Sequence, residues 1–481
     1  MKNSQETHEI DTFLAELIQS KIRFSTDSLV LHAYSQDQWP RKLLELREQG
    51  PAPSQVHGVV WPESSAQVAA ILRAANKHAD VGLYPYGAGS GVCGATIPSE
   101  KERRLRIVVD LKAMRKVRSI DLKSMTVWAE AGIIGENLER SLNQEGLTLS
   151  HFPSSIYCSS LGGYLATRSA GQFSTKYGKI EDMVLSLEVV LADATVVETG
   201  RAPRSAMGPD WTQLLLGSEG TLAFFTAACL QIHRIPEARV MMGFGASDVS
   251  QALTFTRRLM QDGLRPSVLR IYDSLETSMT LNSEILKQSK FKGGLALIAI
   301  FEGRKRMAEA EAQEAQAFAT ELGLQALGPA LGEHWWKHRY DVSYKQQLIL
   351  SHEKMVLDTF EIAVTWDKIE NVYHAVKGVK IGLGMIMAHF SHFYHTGANI
   401  YFTLVGHAGR SISSVDRYDD IWEKILKAAL EAGATLSHHH GVGLQKNEWI
   451  RKEKGPWIDI FRKVKNGFDP ENRLNPFKMG L

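Results

Sequence analysis

The chain has 481 residues, of which 44% are hydrophobic and 22% are charged, a composition typical of an ordinary globular protein of two or three domains. Its 55 basic and 53 acidic residues nearly balance, so the charge gives no indication of binding to nucleic acid or to a membrane surface. Three widely separated cysteines, Cys93, Cys158 and Cys229, argue against a disulfide framework and a zinc-finger type of site.

The elements predicted for the first half of the chain alternate between helices and strands. The first 50 residues form a helical segment that ends at the breaker Gly50-Pro51-Ala52-Pro53. Ser64 and Gln67 form a capping-box pattern that predicts a helix, and a predicted strand, Val81 to Tyr86, leads into a glycine-rich loop. Further predicted elements are strands at Leu105 to Leu111, Met125 to Ala131, Val184 to Leu191 and Thr195 to Thr199, and a helix near Glu136 to Asn143.

The pattern changes near Pro236, where a second domain of roughly 190 residues is predicted to begin. A strand–helix–strand order is indicated there by the elements Asp248 to Gln261 (helix), Ser267 to Tyr272 (strand), Leu295 to Phe301 (strand) and Arg304 to Leu322 (helix). A last helix is predicted at Val415 to Glu431, before a tail that carries three consecutive histidines.

No segment predicts export or insertion into a membrane. The N-terminus, Met1 to Asp11, lacks the apolar core of a signal peptide. The longest strongly apolar stretch, Leu295 to Phe301, is too short to span a bilayer. The final tripeptide, Met479-Gly480-Leu481, is not a usual peroxisomal address. We therefore expect a cytoplasmic protein without a transmembrane segment.

The densest glycine cluster runs from Pro85 to Gly94 and contains a literal Gly-x-Gly-x-x-Gly that begins at Gly89. A Rossmann dinucleotide site requires a helix after the last glycine, whereas here Ala95-Thr96-Ile97-Pro98 and a charged loop follow. The glycines can still bind a phosphate, because residues without side chains let several backbone N–H groups converge on an anion. A plain tight turn is the alternative for this loop taken alone.

Three more clusters of small and hydroxyl residues follow: 152–155, 161–172 with Tyr177-Gly178, and 217–222. In chain order the sequence shows Pro-x-Gly-x-Gly-Ser-Gly, Gly-Gly-x-x-Ala-Thr-Arg-Ser, Tyr-Gly-x-Ile-Glu-Asp-Met-Val and Gly-Ser-Glu-Gly-Thr-Leu. This series resembles the FAD-binding domain of the vanillyl-alcohol-oxidase (PCMH) type. The tail, Phe468 to Pro476, resembles the ending of the FAD-linked oxidase branch of that superfamily.

The resemblance implies an α+β fold with four parts. Residues 1–50 would form an N-terminal helical segment, and residues 51–238 an FAD-binding domain of two subdomains. Residues 239–430 would form a substrate (cap) domain of α/β character with an antiparallel sheet. Residues 431–481 would return to the FAD site and bring the three histidines with them.

The resemblance also implies FAD that is bound noncovalently, because the glycine loop has no histidine where covalent members often carry one. Residues 85–91 would cradle the pyrophosphate with backbone donors. The residues implied in cofactor binding are Pro85, Tyr86, Gly87, Ala88, Gly89, Ser90, Gly91, Ser154, Ser155, Ser159, Ser160, Gly162, Thr167, Arg168, Ser169, Ala170, Glu219, Gly220, Thr221 and Leu222.

Histidine is the unusual component, with 17 residues in the chain, 11 of which lie beyond residue 330. Three of them, His438-His439-His440, precede Gly441-Val442-Gly443. In a strand, His438 and His440 would share one face and His439 would lie on the other. Such a group indicates a metal site or general acid/base chemistry. Histidines that only make surface or backbone contacts are the alternative.

The segment His392 to Tyr401 weakens the metal interpretation. Flavin-linked 2-hydroxy-acid dehydrogenases of this superfamily resemble one another in a His-x-Gly-Asp-Gly-Asn-x-His segment that binds a divalent ion. The segment here lacks the Asp, contains two additional residues and has Tyr401 in place of the second histidine, and a phenol is a poor ligand for such an ion. We therefore predict no metal, although His392 and His395 leave one open.

The same departures, together with the three histidines, resemble the alkyldihydroxyacetonephosphate synthases and their uncharacterised bacterial FAD-linked relatives. This resemblance implies that Tyr401 is the acid/base residue, that the histidines line the substrate site, and that Arg270 is required. In the synthases an arginine grips the substrate phosphate, but here Gln346 stands at that position, in Tyr344-Lys345-Gln346-Gln347. An amide cannot replace a guanidinium, so a phosphorylated substrate is disfavoured.

We expect an FAD-dependent oxidoreductase that oxidises a secondary alcohol of a small polar or anionic substrate, a 2-hydroxy acid or a sugar-derived acid. Arg270 would hold the anionic group, and Tyr401 or one of the histidines His438, His439 and His440 would take the hydroxyl proton as hydride passes to flavin N5. The alternatives are flavin-dependent alkyl transfer in ether lipid synthesis and a non-catalytic flavin-binding subunit. The electron acceptor is not identified, no nucleic acid partner is expected, and a homodimer is left open.

Overall fold

The computed structural model describes residues 2–50, 54–78, 80–200, 202–280, 286–287, 291, 293–341 and 349–481. The breaker residues Pro51 to Pro53 and the segment Tyr344 to Gln347, including Gln346, lie outside the described residues. The described part has an α+β architecture, as the resemblance implied. Within it, no helix combines the length and the apolar character needed to cross a bilayer.

Residues 2–110 build the first sheet and the helices around it. The elements are α1 (Lys2–Gln19), β1 (Arg23–Ser25), α2 (Ser28–Ala33), α3 (Pro40–Gln49), β2 (Gly58–Trp61), α4 (Ser65–Ala75), β3 (Val81–Tyr86) and β4 (Leu105–Asp110). The strand order is β1-β2-β4-β3, with β2, β4 and β3 parallel and β1 antiparallel to β2. The predicted start of α4 is confirmed, because Ser64 Oγ accepts a hydrogen bond from Gln67 N at 3.3 Å.

Residues 117–234 build a second, antiparallel sheet. The elements are β5 (Val117–Asp121), β6 (Thr126–Glu130), α5 (Gly135–Gln144), β7 (Leu147–Thr148), α6 (Leu161–Thr167), α7 (Ser174–Tyr177), α8 (Ile180–Met183), β8 (Val184–Val190), β9 (Val196–Glu198), α9 (Trp211–Leu215), β10 (Phe224–Gln231) and β11 (His233–Arg234). The strand order is β5-β6-β10-β8-β9, and β7 pairs separately with β11. The core of this sheet includes Leu138 and Leu142 from α5 and Leu187 from β8.

Residues 238–431 build a seven-stranded antiparallel sheet with helices. The elements are β12 (Ala238–Ala246), α10 (Val249–Gln261), β13 (Val268–Tyr272), α11 (Ser274–Thr280), β14 (Leu295–Gly303), α12 (Lys305–Glu321), β15 (Gln325–Gly328), α13 (Ala330–His338), β16 (Met355–Thr365), α14 (Ile369–Lys377), β17 (Leu383–Phe393), β18 (Gly397–His407) and α15 (Ser414–Glu431). The strand order is β15-β12-β14-β13-β17-β18-β16.

The packing of β14 explains why its sequence is continuously apolar. Leu297 and Ala299 pack into one core with α12, whereas Ile298 and Ile300 pack into another with α13. Both faces of the strand are therefore covered, so the alternation of polar and apolar residues seen in half-exposed strands is absent.

Two further helices follow α15, namely α16 (Trp449–Lys454) and α17 (Trp457–Phe468), so the prediction that α15 is the last helix is wrong. No residue of α16 is fully buried, whereas α17 fully buries Ile458 and Lys465 and packs Phe461 and Phe468 against the core of the second sheet. The three histidines lie in an irregular segment between α15 and α16. The strand-based assignment of His438 and His440 to one face is therefore also wrong.

Candidate functional site

The seven-stranded sheet places five polar side chains on one face. Directly opposite residues of antiparallel strands are neighbours on the same side, and Tyr401 of β18 lies opposite both Glu361 of β16 and His389 of β17. His389 pairs in turn with Tyr272 of β13, and Arg270, two residues earlier, points to the same side. The strand register therefore brings together Arg270, predicted for substrate binding, and Tyr401, predicted for catalysis.

The three consecutive histidines are folded around the carboxylate of Glu361. Their backbone N–H groups all donate to it, that of His439 at 3.2 Å and that of His440 at 3.0 Å, and Lys446 Nζ lies 3.2 Å from Oε1. Complete burial would raise the pKa of Glu361, but Lys446 and the neighbouring His440 and His438 bring this pKa down to about 2. The carboxylate is therefore ionised at neutral pH and fixes the histidine segment in place.

Neither Glu361 nor Lys446 was predicted as a site residue. The sequence does contain a signal for the first, because Glu361 is an acid within the largely apolar strand β16. Acids are almost never fully buried unless they are paired. The signal for Lys446 is absent, since a single lysine three residues after Gly443 is ordinary in a surface loop.

A β-bulge carries His392 toward the other histidines. His392 interrupts the register between β17 and β18 and has a φ of +52°, a strained conformation for a residue with a side chain. Its Nδ1 lies 2.6 Å from Ser174 Oγ, and its ring centroid lies 5.2 Å from those of His438 and His439. His395, predicted beside it, is exposed and has no part in this cluster as far as the described residues extend.

A chain of hydrogen bonds leads outward from the histidines. Nδ1 of His439 lies 2.8 Å from Nδ1 of His438, and Nε2 of His438 lies 2.8 Å from the hydroxyl of Tyr394. Tyr394 also lines a cavity of about 350 Å³, together with Lys368 and Thr396. The histidines are thus bonded to Tyr394, a residue that also lines this cavity.

The histidine cluster also has the spacing of a metal site. Ring nitrogens of His392, His438 and His439 all lie within 4.8 Å of one another, close enough to share a divalent ion. Both ring nitrogens of His438 already have hydrogen-bond partners, however, and Nδ1 of His392 is bonded to Ser174. A bound ion would have to replace one of these bonds. The expected lack of a metal stays a prediction.

Burial sets the protonation states of these groups. It lowers the pKa of His440 to about 4 and the pKa values of His438 and His439 well below their usual range. It raises the pKa of Tyr401, whose ring stacks on His389 at 4.8 Å and lies 5.6 Å from His440. At neutral pH the histidines are therefore neutral and able to accept a proton, whereas Tyr401 keeps its proton.

Arg270 presents a positive charge to the same space. Its Nε lies 3.1 Å from Tyr272 OH, and its guanidinium lies 5.8 Å from the ring centre of Trp335. In the described ranges no carboxylate forms an ion pair with Arg270. After burial, the charge of Arg270 is the next cause that lowers the pKa values of His389 and His392, so it lies close to both residues. Such a guanidinium is suited to a carboxylate or a phosphate.

The segments predicted to bind the cofactor, loop 85–94, segment 154–170 and loop 217–222, come together in the structure. We call the region between them, where FAD is predicted to bind, the cleft. A Cβ on Gly87 would lie 2.2 Å from Ser160 Oγ, and a Cβ on Gly220 would lie 2.3 Å from Pro85 Cγ. Loop 85–94 therefore touches both of the other segments, and glycine is required where they touch.

Loop 85–94 offers unused backbone donors to the cleft. Within the described chain, none of the N–H groups of residues 88–91 donates a hydrogen bond to another residue, and Gly89 has a φ of +68°. After Gly94 the chain reaches β4 without a helix, which confirms that the loop is not a Rossmann turn. Backbone donors grouped in this way fit an anion such as a pyrophosphate.

Several predicted cofactor residues use their side chains to shape the loops. The guanidinium of Arg168 donates to the carbonyl oxygens of Leu216 at 3.0 Å and Gln213 at 2.7 Å. Ser159 Oγ donates to the carbonyl of Ser155 at 2.7 Å, and Thr221 Oγ1 donates to that of Ser218 at 2.8 Å. The other predicted residues on the same segments are Tyr86, Ser90, Ser154, Gly162, Thr167, Ser169, Ala170 and Leu222.

Glu219 links the cleft to the histidine segment. Its backbone has a φ of +50°, and its buried carboxylate accepts hydrogen bonds from the N–H groups of Val442 and Gly443, the latter at 3.0 Å. A Cβ on Gly441 would lie 2.4 Å from Oε1 of Glu219. The carboxylate is therefore bonded to the C-terminal segment, and the contact of Glu219 with a cofactor stays a prediction.

Comparisons with known proteins match both halves of the chain to FAD-linked families. Residues 56–200 match a family described as FAD binding domain, and residues 235–479 match one described as FAD linked oxidases, C-terminal domain. An alkyldihydroxyacetonephosphate synthase of Dictyostelium discoideum is 30% identical over 88% of this chain and 72% of its own. An uncharacterised FAD-linked oxidoreductase of Escherichia coli is 31% identical over 87% of each chain.

Solved structures share the architecture. An alkyldihydroxyacetonephosphate synthase, 27% identical, superposes with a TM-score of 0.79 and covers 94% of this chain and 82% of its own. A p-cresol methylhydroxylase with substrate bound has a TM-score of 0.74 over 99% of this chain and 96% of its own. Because it is only 15% identical, this similarity shows the fold alone. The relatives and the domain matches together indicate an enzyme with FAD as its cofactor: the chain belongs to the FAD-linked oxidases.

Proposed function

We propose that this enzyme oxidises the secondary alcohol of a small anionic substrate, a 2-hydroxy acid or a sugar-derived acid. The observation that carries the proposal is Arg270, which has no carboxylate partner in the described ranges and shares a sheet face with Tyr401 and His389. An anion-binding group beside neutral proton acceptors is what the oxidation of a hydroxy acid requires.

FAD would lie along the cleft without a covalent bond to the protein. The N–H groups of residues 88–91 would bind the pyrophosphate, and residues 154–170 and 219–222 would line the remainder. When bound, FAD supplies the acceptor for the hydride that leaves the substrate. Loop 85–94 contains no histidine to which a flavin could be attached.

Two side chains would hold the substrate. The guanidinium of Arg270 would bind its carboxylate through two N–H groups, and Tyr401, whose pKa is raised by burial, would donate a hydrogen bond to its hydroxyl oxygen. With both contacts made, the hydroxyl proton is free to face the histidines. Tyr401 is therefore assigned to orientation, and proton removal falls to a neutral histidine.

His439 would take the hydroxyl proton at Nε2. This requires that its Nδ1–H donates to Nδ1 of His438, and that Nε2–H of His438 donates to Tyr394. A proton gained at Nε2 of His439 can then be matched by one that leaves the hydroxyl of Tyr394, a residue that also lines the adjoining cavity. The site would thus dispose of the proton without opening to solvent on the substrate side.

Anaerobic mixing tests the proposal. Holoenzyme mixed with hydroxy acids, sugar acids and glycerol phosphates should lose its visible flavin absorbance with at least one hydroxy acid and remain bleached. Arg270→Met should lower kcat/KM by about 100-fold, because a charged substrate contact is lost. Arg265→Met, at an exposed arginine just before β13, is the matched control and should leave kcat/KM unchanged. If no hydroxy acid bleaches the wild-type flavin, the proposal is wrong.

Flavin-dependent alkyl transfer is the second candidate, because the relative from Dictyostelium discoideum carries the name of an alkyldihydroxyacetonephosphate synthase. Transfer would give the spectrum of a flavin–substrate adduct and would need no electron acceptor, whereas oxidation leaves reduced flavin. Gln346 weighs against it, since an amide lacks the charge that would hold a substrate phosphate.

A further inference from the structure

The C-terminal tail contacts both sides of the FAD cleft. Leu474 is wholly buried in the core of the first sheet, where Leu83 N donates to Arg473 O and Asn475 N donates to Leu83 O, each at 2.8 Å. On the other side, Phe461 and Phe468 of α17 pack against the core of the second sheet. The tail is therefore attached to the two sheets whose loops, 85–94 and 217–222, form the walls of the cleft.

Asn475 bridges the two walls with a single amide. Its Nδ2 donates to the carbonyl oxygen of Ala95 at 3.2 Å and to that of Glu219 at 2.6 Å. The residue adopts a φ of +40°, which asparagine tolerates better than most residues. Both hydrogens of one amide group are thus used across the cleft, so the spacing of the walls is tied to one side chain.

Two buried lysines hold the same walls separately. Lys478 Nζ donates to the carbonyl oxygen of Gly94 at 2.7 Å and also to that of Ile97. Lys465 Nζ donates to the carbonyl oxygens of Thr221 at 2.7 Å and Leu474 at 2.8 Å. Each lysine is therefore bonded to backbone on one wall, and Asn475 lies between them in the sequence.

We propose that residues 465–478 form a clasp that sets the width of the FAD cleft, and that Asn475 is its central positioning residue. The N–H groups of residues 88–91 have no partners of their own within the described chain, so their positions depend on how the loop is held. An anion held by several backbone donors is bound well only when those donors stay in place. The clasp thus acts on retention of FAD, independently of the substrate.

The rate of FAD release tests the clasp. Holoenzyme is diluted, and the fluorescence of released flavin is followed over time. Asn475→Gly keeps a backbone that allows a positive φ but removes both bridging bonds, so release should be about tenfold faster. Asn472→Gly is the matched control, because Asn472 also has a positive φ, of +49°, and no side-chain hydrogen bond to either wall is found in the described chain. It should release FAD within about twofold of the wild-type rate.

Two outcomes would overturn the proposal: Asn475→Gly releasing FAD at the wild-type rate, or both variants releasing it equally fast. If Asn475→Gly does not fold, Lys478→Met decides by the same measurement, since it removes the donors to Gly94 and Ile97 and leaves Asn475 in place. If folded Lys478→Met then releases FAD at the wild-type rate, the proposal of a clasp is wrong. Neither result depends on which substrate the enzyme oxidises.

Discussion

The FAD cleft and the histidine pocket recognise their ligands in different ways. In the cleft the donors are backbone N–H groups of one glycine loop. The segments of the cleft touch at glycines, such as Gly87 and Gly220, where a Cβ would collide with the neighbouring segment. In the histidine pocket, comprising Arg270, Glu361, His392, Tyr401 and residues 438–440, the groups are side chains from four strands and an irregular segment. Backbone recognition leaves a contiguous signature in the sequence, whereas a side-chain constellation is assembled by strand register.

The difference predicts opposite sensitivities. The pocket should fail when a side chain loses its function, whereas loop 85–94 of the cleft should tolerate loss of its own side chains and fail when atoms are added. Three substitutions and one change of pH test this contrast.

The largest effect is expected from the proton acceptor. His439→Gln keeps a similar size but cannot accept the hydroxyl proton, so flavin reduction by substrate should slow by about 100- to 10,000-fold. Rapid mixing under anaerobic conditions measures the rate, and the unchanged visible spectrum of bound FAD is the control for an intact cleft. A rate within a factor of three of the wild type would remove His439 from the mechanism.

The buried carboxylate of the pocket comes next. Glu361→Ala leaves Lys446 charged and buried without its partner, so the free energy of unfolding should fall by about 3–5 kcal/mol. Denaturant unfolding measures the change. Glu370→Ala removes an exposed acid whose contact with His374 is 3.9 Å long, and it should change stability by less than about 0.5 kcal/mol. Equal effects of the two substitutions would contradict the role given to Glu361.

Acid should destabilise the folded pocket. Unfolded histidine binds a proton near its ordinary pKa of 6.5, but folded His440 does so only near 4, so unfolding takes up a proton between these values. The contribution of neutral His440 to the free energy of unfolding is therefore fully present above pH 6.5. It is lost as the pH falls to 4, and the loss is roughly 3 kcal/mol for this residue. Unfolding curves between pH 7 and 4 measure the loss, which should be smaller in His440→Asn. An identical pH dependence in both proteins would count against a neutral His440.

The smallest effect is expected in the cleft. Gly87→Ala adds a Cβ that would lie 2.2 Å from Ser160 Oγ, and the resulting displacement should weaken FAD binding by about 10- to 100-fold. Ser90→Ala, on the same loop, removes a side chain instead and should leave the affinity within about twofold. Flavin fluorescence titration measures both. If Ser90→Ala weakens FAD binding more than Gly87→Ala does, FAD is not recognised mainly by the backbone of this loop.

The sequence predicted those parts of the site that are continuous in the chain. Gly89 with its neighbours, the cap at Ser64 and the segment 161–170 follow local rules, since glycine conformation and capping depend on residues a few positions apart. The last two helices and the irregular course of His438 to His440 were missed. The course of the histidines depends on a distant partner, Glu361, and no local pattern records that partner.

Glycine-rich motifs, whose order along the chain is fixed, were sufficient to predict an FAD-linked oxidase with an α+β fold. The way in which the side chains of the pocket meet, in contrast, depends on strand pairing and on contacts between distant segments. The register of β13, β17, β18 and β16 aligns Arg270 with Tyr401, a bulge turns His392, and a buried Glu361 holds the three histidines. These contacts join residues far apart in the chain, and their geometry follows from strand pairing and from the need to pair a buried charge.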